Sequence, residues 1–204
     1  KRKKNTPASK KAAKYRKRYK KESLSSLSNN RIHFVRRHVD YASILINPLS
    51  GSGTAFVFTL SNVPGFAEFT NLYDQYKICG VHMKFYPNQT SSTRLDSVDN
   101  AKGNARFLSC IDLNDATPPL TSDEVRQYES CEVTSVLEQH ERYIKKPLFV
   151  NTSGQNVSDW VSTSTPNLRW FGLKVWVDPT SQTGGNNFTY TIECIFYLCF
   201  KNIK

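Results

Sequence analysis

The sequence predicts an all-β sandwich or barrel preceded by a basic arm, and three observations predict it. Beyond residue 30 the chain is mostly short runs rich in Val, Ile, Phe, Tyr and Trp, divided by clusters of Gly, Pro, Asn and Ser, the pattern of strands and their turns. The clearest run alternates throughout, with Phe188, Tyr190, Ile192, Cys194, Phe196, Leu198 and Phe200 interleaved with Thr189, Thr191, Glu193, Ile195, Tyr197, Cys199 and Lys201. Successive side chains of a strand point to opposite faces, so one face of this strand is apolar and needs a second sheet to cover it. Finally, the first twenty-one residues carry twelve Lys or Arg and no acid, while residues 22–204 hold sixteen basic and seventeen acidic residues and the whole chain is +11. All the excess charge sits in a short arm attached to a nearly neutral body.

Taken in order, residues 1–30 read as arm and linker, the polar stretch SLSSLSNN separating the basic segment from a folded domain at 31–204. Eight strands are predicted, at 32–46, 54–60, 77–86, 106–113, 131–137, 140–146, 168–177 and 188–201. In the third, Cys79, Val81, Met83 and Phe85 are expected to point inward and Gly80, His82 and Lys84 outward. A short helix is predicted over 64–76, where Phe66, Phe69, Leu72, Tyr73 and Tyr76 recur at spacings of three and four. Another is predicted over 121–128, because Thr121 or Ser122 precedes Asp123 and Glu124 after the breaker pair Pro118 and Pro119. Residues 87–105 and 151–167 read as long polar loops. Trp170 and Trp176 are expected to share a strand face with Lys174, opposite Leu173, Val175 and Val177; exposed Trp beside Lys would mark a subunit interface, with core packing, the more frequent use of Trp, as the competing reading.

Composition excludes several classes of function. No run approaches the roughly 18 apolar residues of a membrane span, so a soluble protein without membrane insertion is expected. The five cysteines, 79, 110, 131, 194 and 199, are odd in number and widely spaced and form no C-x-x-C; they read as reduced, small apolar strand residues rather than zinc ligands. The four histidines, 33, 38, 82 and 140, show no H-x-x-x-H spacing, and no G-x-S-x-G elbow or Gly-rich phosphate loop is present. Asp112, Asn114 and Asp115 read as turn residues, too few for a Ca²⁺ loop. No catalytic residue, metal site or cofactor is expected.

The candidate chemistry is nucleic-acid binding. The cations of the arm, Lys1, Arg2, Lys3, Lys4, Lys10, Lys11, Lys14, Arg16, Lys17, Arg18, Lys20 and Lys21, would neutralise phosphates and release condensed counterions, with steep salt dependence and little sequence preference. Tyr15 and Tyr19, interleaved with them, could stack on unpaired bases. Such a run is also the composition of a nuclear localisation signal, implying a nuclear import receptor as a second partner. Arg36 and Arg37, on the first strand directly after the linker, and Lys84 beside His82 on the outward face of the third, are further phosphate candidates; a basic edge strand that resists misassociation is the competing reading for the arginines.

The block LSNVPGFAEFTNLYDQYKICGVHMKFYP, residues 60–87, resembles the capsid proteins of small circular single-stranded DNA viruses that encode a Rep protein, the circovirus-like group. Glu68, Phe69, Leu72, Tyr73, Asp74, Tyr76 and Ile78, followed by Phe85, Tyr86 and Pro87, match that group's helix-into-strand pattern. HERYIKKP at 140–147 is similar to its H-x-R-Y-x-x-x-P stretch. The resemblance implies a single eight-stranded jelly roll, with antiparallel sheets BIDG and CHEF of four strands each and short helices in its loops. It also implies a homo-oligomeric icosahedral shell of sixty copies and an arm that meets the genome inside it, hence a place in the virion and, during assembly, in the host nucleus. It points to no particular host attachment factor.

The expected function is therefore that of a non-enzymatic, self-assembling capsid protein that packages single-stranded DNA. Three rivals remain open at this level: the coat of a small or satellite RNA virus, since a basic arm does not discriminate DNA from RNA, a cellular nucleic-acid-binding protein, and an enzyme, against which stands the lack of an evident acid-base or metal cluster.

Overall fold

Strand β11 (Phe188–Ile203) lies inside its sheet, hydrogen-bonded on one side to β1 (His33–Ile46) and on the other to β3 (Tyr73–Pro87). The computed structural model describes residues 31–46, 50–88, 105–151, 153–179 and 188–204. β6 (His140–Lys145) extends this sheet beyond β3, giving the order β1-β11-β3-β6, and the two-residue β9 (Val161–Ser162) pairs with the start of β3. The second sheet runs β2 (Ser52–Phe58), β10 (Trp170–Val177), β4 (Arg106–Cys110) and β5 (Glu132–Ser135). All these pairings are antiparallel. Lettered B to I in chain order, the eight predicted strands fall into sheets BIDG and CHEF, which is the jelly roll. A separate two-stranded ribbon joins β7 (Phe149–Val150) and β8 (Asn156–Val157).

The alternation read from β11 is what builds the core. Tyr190, Ile192, Cys194, Phe196, Leu198 and Phe200 are all buried and pack with Val81, Met83 and Phe85 of β3 against Phe56, Phe58, Phe107 and Val175 of the other sheet. Phe58 meets Phe196 edge-on at 6.0 Å between ring centres, and Phe85 contacts both Phe56 and Phe107. Fully burying a side chain of this size contributes about 1.5–3 kcal/mol. The sandwich is thus held by aromatic rings interdigitating across its midplane. Residues 32–204 form one compact unit.

Helix α1 (Phe66–Leu72) is shorter than its apolar spacing predicts. Tyr73 and Tyr76 belong to β3, opposite Ile203 and Phe200 of β11, because there they gain ladder hydrogen bonds as well as burial. Helix α2 (Ser122–Arg126) begins as expected: Thr121 Oγ1 accepts from the Glu124 N–H at 3.3 Å. It lays Val125 against Leu108, Cys110 and Trp176, covering part of the outer face of the second sheet. Within the predicted 151–167 loop, residues 156–157 and 161–162 are strands, a difference from the sequence reading that arises because β7 and β3 offer them backbone partners.

Two bulges overturn local readings of side-chain direction. In β3 the register with β11 skips one residue at Cys79, so Tyr76 and Ile78 point inward on one side of the bulge and Val81, Met83 and Phe85 on the other. Cys79 is therefore not a core residue, nor is it reduced: it forms a disulfide with Cys199, while Cys110, Cys131 and Cys194 carry free thiols. In β10 the register with β2 skips Gly172, which puts Trp170 on the core face with Leu173, Val175 and Val177. Trp176 and Lys174 keep the opposite face, yet both are buried beneath α2 and its loop, so the expected exposed Trp–Lys interface is absent from this strand.

Candidate nucleic-acid interface

The first strand carries its basic residues on both of its faces. Arg36 lies opposite Tyr197 and His38 opposite Ile195, on the outer face of the first sheet, whereas Arg37 lies opposite Phe196 on the core-facing side at the sheet margin. The Arg36 guanidinium sits 6.0 Å from the centre of the Tyr197 ring, and that of Arg37 sits 5.0 Å from the Phe69 ring in α1. Contacts of this kind at exposed sites contribute about 0.5–1 kcal/mol. The two arginines are consequently separate positions rather than one basic patch, because neighbours on a strand face opposite ways.

Lys84 and His82 stand on the same outer face as Arg36, as their alternation predicts, but in mixed company. Lys84 lies opposite Glu193 on one side and Glu141 on the other. Glu193 accepts from Tyr86 Oη at 3.1 Å and lies 2.9 Å from His38 Nδ1. The hydrogen bond with His38, aided by that from Tyr86 and by the Lys84 charge, holds its carboxyl below the usual carboxylate range despite some desolvation. His82 Nε2 lies 3.3 Å from Glu141 Oε2. At one end of the face Lys84 is thus already held among carboxylate neighbours.

The other end is different. There Arg36, Tyr197, Gly80 and Lys145 form one cross-strand row, flanked by exposed Phe34 opposite Cys199 and by half-exposed Tyr143 opposite His82. Tyr143 and Tyr197 meet edge-on at 5.8 Å. A Cβ on Gly80 would come within 2.6 Å of Tyr143 Oη, so glycine is what lets that ring lie across the sheet. Tyr143, Lys145 and Tyr197 were not singled out in the sequence, although the alternation of HERYIKKP already places Tyr143 and Lys145 on one face.

The remaining predicted contacts, Lys1, Arg2, Lys3, Lys4, Lys10, Lys11, Lys14, Tyr15, Arg16, Lys17, Arg18, Tyr19, Lys20 and Lys21, lie outside the described residues. Asp112 and Asp115 do serve turns, accepting from the Asn114 N–H at 2.9 Å and the Thr117 N–H at 2.6 Å. They also clasp Lys174 Nζ at 2.7 and 2.8 Å. Burial alone would lower the Lys174 ammonium, but its two carboxylate partners outweigh that and raise it well above the ordinary lysine range. Among the described residues no group of three or more His, Cys, Asp or Glu is placed to hold a metal ion, and no helix is long and apolar enough to cross a membrane.

Comparison with known proteins decides what this sandwich is. The circovirus capsid protein family matches residues 4–204. The chain belongs to that family. It is a viral capsid protein, a structural component of the virion rather than an enzyme. Among solved structures, this capsid protein is similar to the BFDV capsid protein in a 60-mer, with 17% identity over 86% of this chain and 96% of that one and a TM-score of 0.59. It is also similar to the BFDV capsid protein in a decamer, with 14% identity over 84% of this chain and 100% of that one and a TM-score of 0.58. The structure of cucumber necrosis virus matches 85% of the capsid protein with 57% of its own chain, at 13% identity and a TM-score of 0.56. At these identities the likeness is one of fold, and it agrees with the jelly roll described above. No curated protein sequence is significantly similar to the capsid protein.

Proposed function

We propose that this capsid protein assembles with copies of itself into a closed icosahedral shell and holds single-stranded DNA inside it through its arm, residues 1–30, attached to the jelly roll at 31–204. The observation that carries the reading is the segregation of charge: twelve cations and no acid in residues 1–21, against a body one charge short of neutral. A shell made from near-neutral faces avoids mutual repulsion between copies, while the cations stay grouped where a polyanion can gather them. The BFDV capsid proteins that share the fold are described as a 60-mer and a decamer, which supports assembly. Sixty arms would carry about 720 cations, enough for a similar number of phosphates at one each. The same basic run serves as a nuclear localisation signal that brings the protein to the host nucleus for assembly.

The test is expression of the full chain and of a chain lacking residues 1–21, followed by electron microscopy and extraction of nucleic acid. Uniform shells from the full chain, with cargo degraded by DNase and spared by RNase, are expected when a circular single-stranded DNA is co-expressed. The shortened chain should fold and lose that cargo. Monodisperse monomers under all salt and pH conditions, or unchanged nucleic acid per particle without the arm, would contradict the proposal, and RNase-sensitive cargo would favour an RNA-packaging coat.

A further inference from the structure

The outer face of the β1-β11-β3-β6 sheet divides into an acidic end and a basic, aromatic one. At the first, Asp40, Glu193, Lys84 and Glu141 form a cross-strand row in which one lysine lies among three carboxylates. At the second, Phe34, Tyr197 and Tyr143 run diagonally across the sheet from β1 through β11 to β6, with Arg36 and Lys145 at the ends of the Tyr197 row. Phe34 is 78% exposed and Tyr143 50%, large apolar rings left uncovered on the outer face of the sheet. Adjacent strands lie about 4.8 Å apart, so the two cations are roughly 14 Å apart with tyrosines between them. Phe34 and Arg36 lie at the start of β1, which begins at His33.

We propose that this aromatic diagonal is a second nucleic-acid site, on the folded body rather than the arm: it takes the unpaired bases of a single strand, stacked on Tyr197 and Tyr143, while Arg36 and Lys145 meet the flanking phosphates. The proposal rests on the reading of the protein as a single-strand-packaging capsid and adds to it the means of telling a single strand from a duplex. The lysines and arginines of the arm bind either, since they contact phosphate, and only its Tyr15 and Tyr19 offer rings to unpaired bases. Aromatic rings accept only bases that are free to leave their stack, and they accept every base, so the preference is for single-strandedness and not for sequence. Gly80 belongs to the same arrangement because a side chain there would lift Tyr143 off the sheet. Arg37, on the opposite side of β1 over Phe69, has no part in it.

The experiment titrates the full-length chain into fluorescein-labelled oligo(dT) of about 16 nucleotides, and into a duplex of equal length, following anisotropy at several salt concentrations. The wild-type chain should prefer the single strand. The variant Y143L/Y197L should lose about tenfold in single-strand affinity while duplex affinity and the salt dependence change less than twofold, and Y143F/Y197F, which keeps the π faces, should behave as wild type. Arg36→Gln with Lys145→Gln should instead lessen the salt dependence for both ligands. Single-strand preference unchanged in Y143L/Y197L would overturn the proposal. So would a Y143L/Y197L chain that fails to form particles yet keeps its single-strand preference, because the face would then be a contact between copies. Removal of residues 1–21 in the packaging test leaves Tyr143 and Tyr197 in place, so failure of the arm reading and failure of this one are separately visible.

Discussion

Ser109 Oγ of β4 and His140 Nε2 of β6 lie 2.7 Å apart, a hydrogen bond that links one sheet to the other through the core. The other ring nitrogen of His140 lies 3.0 Å from Thr134 Oγ1, so a neutral imidazole can donate to one hydroxyl and accept from the other. Burial first, and the nearby Arg142 charge second, lower its pKa to about 4.

That depression makes a pH prediction. In the unfolded chain His140 titrates near the ordinary value of about 6.5, so below it the unfolded state takes up a proton that the folded state refuses. Stability is complete above about pH 6.5 and falls as pH drops through the interval to about 4, where the loss levels off, by roughly 3 kcal/mol in all. Thermal unfolding of the subunit across this range should show the decline, and His140→Gln should flatten it. An unchanged slope in the variant would mean that other groups carry the effect.

The clasp on Lys174 gives a second one. Asp112 is almost fully buried, whereas the Asp115 side chain is 52% exposed. Lys174→Met strands the buried carboxylate and should cost about 3 kcal/mol, while Asp115→Asn should cost under about 1 kcal/mol. Urea denaturation measures both, and equal costs would refute the distinction. Both aspartates have lowered pKa values, Asp112 because the hydrogen bonds from Lys174 and Tyr128 overcome its desolvation. Their contribution is therefore present above the unfolded carboxylate range, near pH 4, and fades as pH falls below it.

Gly53 in β2 sits beneath the loop that leads into α2, where an added Cβ would run into the backbone carbonyl of Pro119. Backbone cannot rotate aside as a side-chain tip can. Gly53→Ala should accordingly cost about 2 kcal/mol and raise amide exchange at Thr117, Leu120 and Thr121. Wild-type stability in that variant would show that the loop shifts freely.

The Cys79–Cys199 disulfide closes a separation of 120 residues. Thiol titration of the denatured, unreduced protein should find three reactive thiols out of five, and reduction should lower the unfolding temperature. In the chain-entropy account a loop of this length is worth up to about 5 kcal/mol. Five reactive thiols would show that the bond does not form in the environment of synthesis.

Where local chemistry decided the structure, the residue pattern was a sufficient guide. The alternation from Phe188 to Lys201 identifies β11 and its buried face, Thr121 with Glu124 marks the start of α2, and Asp112 and Asp115 make their turns. Each of these depends on neighbours within a few residues. The charge segregation of residues 1–21 is likewise a property of composition.

Tertiary structure decided the rest, and for one reason: the direction of a strand side chain depends on the register with a partner far away in sequence. A single extra residue, Cys79 against β11 or Gly172 against β2, reverses every side chain beyond it. That is why Cys79 leaves the core and meets Cys199 and why Trp170 turns inward while Trp176 does not, whereas Tyr73 ends a helix and begins a strand because β11 offers it a backbone partner. It is also why Phe34, Tyr197 and Tyr143, 163 residues apart at their extremes, lie on one diagonal. Pattern within the chain sets what each segment can become, whereas pairing between distant segments sets which way each residue finally faces.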